Sequence, residues 1–187
     1  MLIHSYSISR VNGPGVRFVL WTQGCSKGCK ECYNPETWKF EGKDTSVNEI
    51  FELIDSYNVD GITISGGDPL EQKDILELLE KLYNLNLPKG IILFSGYTFD
   101  EINNLSLRSC FSFIDVLIDG KFEKDLKTTG TLKGSENQNI IYFSSKISPE
   151  ELMIDHEIEV LERDGILSLT GFPKLDRKYL KRLGVIV

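Results

Sequence analysis

The 187-residue chain holds only four cysteines, two histidines, two methionines and six prolines. No stretch approaches the ~20 consecutive apolar residues of a membrane-spanning helix. The N-terminus MLIHSYSISR has no basic segment followed by a long apolar one, so no secretory leader is read from it. Basic excess is lacking too. The formal charge is −7, which argues against nucleic-acid binding, because phosphate-backbone binders need a cationic face to release counterions. With 41% hydrophobic and 26% charged residues, the chain has neither disordered nor low-complexity composition. These exclusions leave a single cytoplasmic domain, residues 1–187, with no nucleic acid and no membrane among its partners.

The cysteines are few but unevenly placed. Cys25, Cys29 and Cys32 form C-x3-C-x2-C, and Cys110 stands alone. A secreted disulfide framework would need an even set on a short chain, so the trio reads as a metal site in a reducing compartment. Residues 10–43 carry a net +3 against −10 for the rest, a local field that favours thiolates and an anionic ligand. Structural zinc wants four protein ligands, and His4 and His156 lie far away in sequence. A redox dithiol would use Cys29 and Cys32 but leave Cys25 idle. A 4Fe-4S cluster on three thiolates keeps one iron open for a substrate or cofactor. With one cysteine left over, a second thiolate cluster has no ligand set, and Cys110 reads as a packed apolar thiol.

Strands alternate with helices along the chain, the pattern of parallel strands joined by crossovers. Strands are expected at 17–23, 61–65, 90–95, 113–118 and 139–143. Helices are expected at 46–57, behind a Ser46 cap, at 71–83 and at 99–107. From 147 the pattern changes to a hairpin around Asp164-Gly165 and an amphipathic helix over 175–183. The residues of chemical interest follow strand C-termini, where α/β proteins place their sites.

These motifs resemble those of a known family. The C-x3-C-x2-C loop is similar to that of the radical S-adenosylmethionine superfamily. Gly13-Pro-Gly-Val-Arg17 resembles the G-P-G-x-R of glycyl-radical activating enzymes. Cys32-Tyr-Asn-Pro-Glu-Thr-Trp38 resembles the C-Y-N-x-x-T-W of the activating proteins of anaerobic ribonucleoside-triphosphate reductases. Ser65-Gly-Gly-Asp-Pro-Leu70, Ser95-Gly-Tyr97, Val116-Leu-Ile-Asp-Gly-Lys-Phe122 and Gly134-Ser-x-Asn-Gln138 follow in the same order, so the resemblance covers about residues 10–143. Glu31 departs from it, since many members carry an aromatic residue there; in the activating-protein subgroup the aromatic follows the cysteine, as Tyr33 does.

The resemblance implies an oxidoreductase of the activating-enzyme type on an incomplete, TIM-like α/β barrel. Five or six parallel strands would form a core over about 10–146, with a C-terminal extension at 147–187. Cys25, Cys29 and Cys32 would ligate a 4Fe-4S cluster, and S-adenosyl-L-methionine would take the open iron. Gly66 and Gly67 would bring backbone close to the methionine moiety, with Asp68 fixing the loop or meeting its ammonium; a plain strand-to-helix turn is the alternative. Lys121 is the candidate for the methionine carboxylate, Asp119 for a nearby cation or hydroxyl. Tyr33, Ser95, Tyr97 and Asn137 are candidates for the remaining contacts. The implied partners are a polypeptide substrate and an electron donor such as flavodoxin or ferredoxin. The substrate is a glycyl-radical reductase or, alternatively, a precursor peptide held by 147–187. A structural zinc module is the reading outside enzymes, and Arg17 is left open between bracing the cysteine loop and meeting a partner.

Overall fold

The computed structural model describes residues 1–153, 158–163 and 166–171. Within these, a six-stranded sheet runs in sequence order: β1 (Ile3–Ser9), β2 (Arg17–Thr22), β3 (Gly61–Gly66), β4 (Ile91–Phe94), β5 (Val116–Asp119) and β6 (Asn139–Tyr142). Strands β2 to β5 are parallel, whereas β1 and β6 pair antiparallel at the two edges. The expectation of five or six parallel strands in an incomplete barrel is therefore corrected to an open mixed sheet with four.

Both edges have a physical cause. The connection from β1 to β2 is a short turn that uses positive φ at Gly13 and Gly15, too short for the crossover a parallel strand needs. The long connection after β5 returns to the end it left. Asp119 accepts from the backbone and side-chain amides of Asn139, and the Gln138 side chain donates to the Gly120 carbonyl (2.8 Å). Strand β1 itself, below residue 10, was not anticipated. Its bulge between Ile3 and Ser5 breaks the alternation that would have announced it.

Among the described residues, three α-helices cover one face: α1 (Val47–Asp55), α2 (Ile75–Tyr83) and α3 (Phe99–Asn103). Ser46 and Glu49 form the expected capping box on α1, and Thr98 with Glu101 repeats it on α3. Ile50, Ile54, Ile75, Leu78, Leu79 and Ile102 pack there against Phe18, Leu20, Ile62, Ile64, Leu93 and Leu117, all essentially buried. Burying side chains of this size contributes about 1.5–3 kcal/mol each, which is the main force holding the layers together. The helix expected to reach Leu107 stops at Asn103, and a 3-10 turn over Arg108–Ser112 carries the buried Cys110.

The opposite face is closed by irregular chain. Ile92, Val116 and Ile118 pack with Leu132, Ile147 and Leu152, and the Leu132 amide donates to the Leu152 carbonyl (3.1 Å). The packed core thus runs from Met1 past 146 to Leu152. Beyond it, β7 (Ile158–Arg163) and β8 (Ile166–Gly171) form the expected hairpin, tied to the β1–β2 turn by Arg10 to Glu159 and Asn12 to Thr170. The helix expected over 175–183 lies outside the described residues. No helix among the described residues is long and apolar enough to cross a membrane.

Candidate metal and cofactor site

Because β2 to β5 are parallel, their C-termini share one end of the sheet, and the cysteine loop and the Gly66-Gly67-Asp68, Ser95–Tyr97 and Gly120-Lys121 segments leave from it. Thr22 leads into Gly24 and Cys25, Gly66 into Gly67 and Asp68, Phe94 into Ser95 and Tyr97, and Asp119 into Lys121. Hydrogen bonds join these segments sideways. The Gly67 amide donates to the Thr22 carbonyl (2.8 Å) and the Asp68 amide to the Gly24 carbonyl (2.9 Å). The Asp68 carboxylate accepts from the Ser95 hydroxyl (3.0 Å) and from the Gly96 (2.9 Å) and Leu70 (3.1 Å) amides. The Gly120 amide donates to the Tyr97 carbonyl (3.0 Å), and the Asn137 side chain to the Lys121 carbonyl (2.8 Å).

The glycines take a role that sequence reading did not assign. A Cβ on Gly67 would stand 2.2 Å from the Gly24 carbonyl oxygen, and one on Gly66, whose φ is +101°, 2.5 Å from the Thr22 amide nitrogen. Their missing side chains let β3 close against the base of the cysteine loop. Any approach to a ligand comes in addition to that.

Cys25, Cys29 and Cys32 are half-buried free thiols at the rim of this edge. A turn over Pro35–Thr37 folds back beside them. Gly24 donates to the Thr37 carbonyl (2.7 Å) and Cys25 to the Trp38 carbonyl (3.0 Å), so Asn34 and Trp38 shape the loop. Burial pushes the Cys25 thiol up to about 11, with the Lys27 amide opposing and Asp68 and Glu71 adding to it. Burial likewise raises Cys32, against the Asn34 amide that donates to its sulfur (3.4 Å). Thiolates here need a cation beside them. Among the described residues no three His, Cys, Asp or Glu side chains are arranged to hold a single metal ion, and His4 is hydrogen-bonded to Gln23 (2.9 Å). Three cysteines spaced C-x3-C-x2-C on one loop are the soft donor set that a 4Fe-4S cluster takes.

The remaining candidates fall into three groups. Ser95, Tyr97 and Asp68 are at the edge, Asp68 acting as the brace between β3 and β4; burial pushes its carboxyl up to about 6, against three hydrogen bonds. Tyr33 is packed on Phe122 (ring centroids 4.9 Å apart) beside Gly134, which joins the cysteine loop to the chain after β5. Asp119 is buried, with its oxygens bonded to the Phe99 amide (2.6 Å) and to Asn139, so its place is structural. Lys121 and Asn137 are exposed at the rim. On the face away from the helices, the pleat places half-buried Trp21, Ser65 and Phe94 side by side next to the loop, a floor that sequence reading missed.

Arg17 lies at the other end of the sheet. Fully buried, it donates to Thr63 Oγ1 (2.6 Å) and to the carbonyls of Pro14 (3.1 Å), Ile62 (2.5 Å), Lys89 (3.0 Å) and Gly90 (3.1 Å). It clamps the N-terminal ends of β2, β3 and β4. Burial pulls its pKa down while Asp115 and Asp60 hold it up.

Comparison with known proteins bears on this site. A family model described as a 4Fe-4S single cluster domain matches residues 11–141. Curated relatives named anaerobic ribonucleoside-triphosphate reductase-activating protein align over most of their length. The one from Enterobacteria phage T4 is 37% identical over 142 residues, covering 72% of this chain and 89% of the relative. The one from Escherichia coli strain K12 is 35% identical over 145 residues, covering 71% and 92%. That from Vibrio cholerae is 35% identical over 149 residues, covering 74% and 96%.

Proposed function

The chain belongs to the 4Fe-4S single cluster domain family, together with the activating proteins of anaerobic ribonucleoside-triphosphate reductases, and from that premise we propose that it is a radical S-adenosylmethionine enzyme that activates such a reductase. One observation carries the reading: the loop that bears Cys25, Cys29 and Cys32 is hydrogen-bonded at its base to the Gly66-Gly67-Asp68 turn, so the thiols and the turn leave the same strand ends together. When bound, a reduced cluster supplies the electron that cleaves S-adenosylmethionine to methionine and a 5′-deoxyadenosyl radical, which takes hydrogen from a glycine of the partner.

The chain's own residues hold and orient. Cys25, Cys29 and Cys32 would hold the cluster, and the Asn34 amide directed at Cys32 would offset charge on its sulfur. Asp68 fixes the ends of β3 and β4 so that the turn carbonyls face the methionine end of the cofactor. Trp21, Ser65 and Phe94 offer a partly apolar floor for the adenosine, while Tyr97 and Asn137 stand at its edge. Lys121, exposed on the rim, takes the carboxylate. An open sheet leaves this edge accessible from the side, which suits a polypeptide loop. The electron donor is of the flavodoxin or ferredoxin type, and the protein works in the cytoplasm.

A second reading, modification of a precursor peptide, draws on the hairpin β7–β8. It lies outside the matched residues and exposes Ile158 and Val160. Anaerobic purification with iron and sulfide analysis, followed by a reductive cleavage assay and electron paramagnetic resonance of the reductase, tests the proposal. A glycyl radical formed only with the complete system supports it. Stoichiometric zinc without iron refutes it, and cleavage with no radical on any reductase but modification of a peptide favours the second reading.

A further inference from the structure

Glu71 ends the 3-10 turn that follows Asp68, and its carboxylate is directed at the cysteine loop. Oε2 accepts from the Ser26 backbone amide (2.8 Å), and Oε1 accepts from the Ser26 hydroxyl (2.5 Å) and from the Tyr97 hydroxyl (3.2 Å). Among the described residues it forms no salt bridge, so its acceptor capacity goes to these neighbours. The next residue of the loop, Lys27, lies with its ammonium 3.0 Å from the centre of the Tyr97 ring. Beyond it the loop loosens: a Cβ on Gly28 would meet nothing within 4 Å.

We infer that Glu71 is a positioning residue for the metal-binding loop, a latch that fixes the segment between Cys25 and Cys29 against the ends of β3 and β4. The inference rests on the proposed cluster function. Geometry supports it beyond ordinary packing. Cys25 is already held on one side through its amide to Trp38 and through Gly24 to Thr37. Glu71 supplies the opposing anchor one residue past Cys25, so the two together fix the direction in which that segment leaves the sheet. Removing one anchor leaves the strand intact but frees the loop to rotate about Gly24 and Gly28, both at positive φ. A charge-assisted bond at a partly exposed site is worth less than a buried one but enough to alter loop opening several-fold.

The test uses the full chain as Glu71→Ala, Glu71→Gln, Ser26→Ala and the Ser26→Ala/Glu71→Ala pair. In the reconstituted protein, release of iron to a chelator is followed together with the resonance spectrum of the reduced cluster without cofactor. In the metal-free protein, labelling of Cys25 by a thiol reagent is followed by peptide mapping, with thermal unfolding as the control. Expected are iron release and Cys25 labelling at least about threefold faster in Glu71→Ala, with unfolding near wild type. Glu71→Gln should show a smaller loss, because its amide oxygen can still accept from the Ser26 amide and its NH2 can donate to a hydroxyl, while the charge that strengthened the bonds is gone. The pair should be no worse than Glu71→Ala alone. Unchanged release and labelling in both Glu71 variants overturns the inference, as does a lowered unfolding temperature with unchanged labelling. Should the wild type hold no cluster, the functional reading falls while the labelling experiment still decides the latch.

Discussion

Replacing Arg17 by Met separates the two ends of the sheet. Met keeps the unbranched apolar stem of Arg17 but removes a buried guanidinium that makes five hydrogen bonds. The Gly90 carbonyl keeps a second partner in the Ile62 amide, so it is not orphaned. Thr63 Oγ1 loses a donor in a buried setting, the half-buried Pro14 and Lys89 carbonyls lose one each, and Asp60 and Asp115 lose a nearby cation, Asp115 keeping Lys146 at 4.0 Å. Breaking a buried charged network by removing one partner costs about 3–5 kcal/mol. Against a total stability of about 5–15 kcal/mol, the variant would be marginal. Urea unfolding of the full chain should show the loss, with Arg17→Lys intermediate because an ammonium cannot reach so many carbonyls at once. In the folded fraction, iron bound per chain and cofactor cleavage should stay near wild type, since the clamp lies at the sheet edge away from the cysteines. A loss below about 1 kcal/mol, or abolished cleavage at wild-type stability, would refute the clamp and return Arg17 to the functional site.

The other expectations are shorter. Cys29→Ala should lose iron, whereas Cys110→Ala should keep it at a cost of about 1 kcal/mol for a small core cavity; equal iron loss in both would sink the ligand assignment. Gly67→Val should reduce stability and iron content together, by at least about 1–3 kcal/mol in stability, because its side chain meets the Gly24 backbone; weakened cofactor binding with unchanged stability would contradict that. Asp68 holds its proton more tightly folded than unfolded, so its contribution is full below pH 3.8 and is lost as pH rises through about 6, a span of about 3 kcal/mol. Asp68→Asn should remove that component from the pH dependence of urea unfolding, and an unaltered profile would be evidence against it. Truncation after Met153 should leave a folded, iron-binding protein, while truncation after Lys146 should not, since Ile147 and Leu152 complete the core; circular dichroism and iron analysis distinguish the two.

What the sequence revealed was the local part. Apolar runs closed by glycine marked β2 to β5, and the Ser46-x-x-Glu49 cap marked α1, because each signal lies within a few residues. Strand direction at the edges was hidden, since whether a long connection crosses or returns depends on pairings such as Asp119 with Asn139 that no local pattern encodes. The cysteine loop was legible because thiolate spacing is itself chemistry. Glu71, Trp21 and Phe94 were not, for their roles arise only once parallel strands bring three separate loops to one edge. The glycines at 66 and 67 were read for the right flexibility but against the wrong neighbour: what occupies their missing side-chain space is Gly24, part of the same chain.

The two ends of the four parallel strands are built to opposite specifications, and one permits the other. At the N-terminal ends a buried guanidinium bonds several carbonyls, and Asp115 bonds the Ile91 amide (2.8 Å) and the Ser144 hydroxyl (2.5 Å), so polar groups there are matched without water. At the C-terminal ends Trp21, Ser65 and Phe94 remain half-exposed, and burial raises the thiols of two of the three cysteines. An edge left incomplete in this way lowers local stability. The strands beneath it cannot splay in response, because their far ends are clamped and their helix-covered face is packed. Freedom to adjust is thereby confined to the loops, where a ligand that brings positive charge and apolar surface meets thiols and a half-exposed apolar floor.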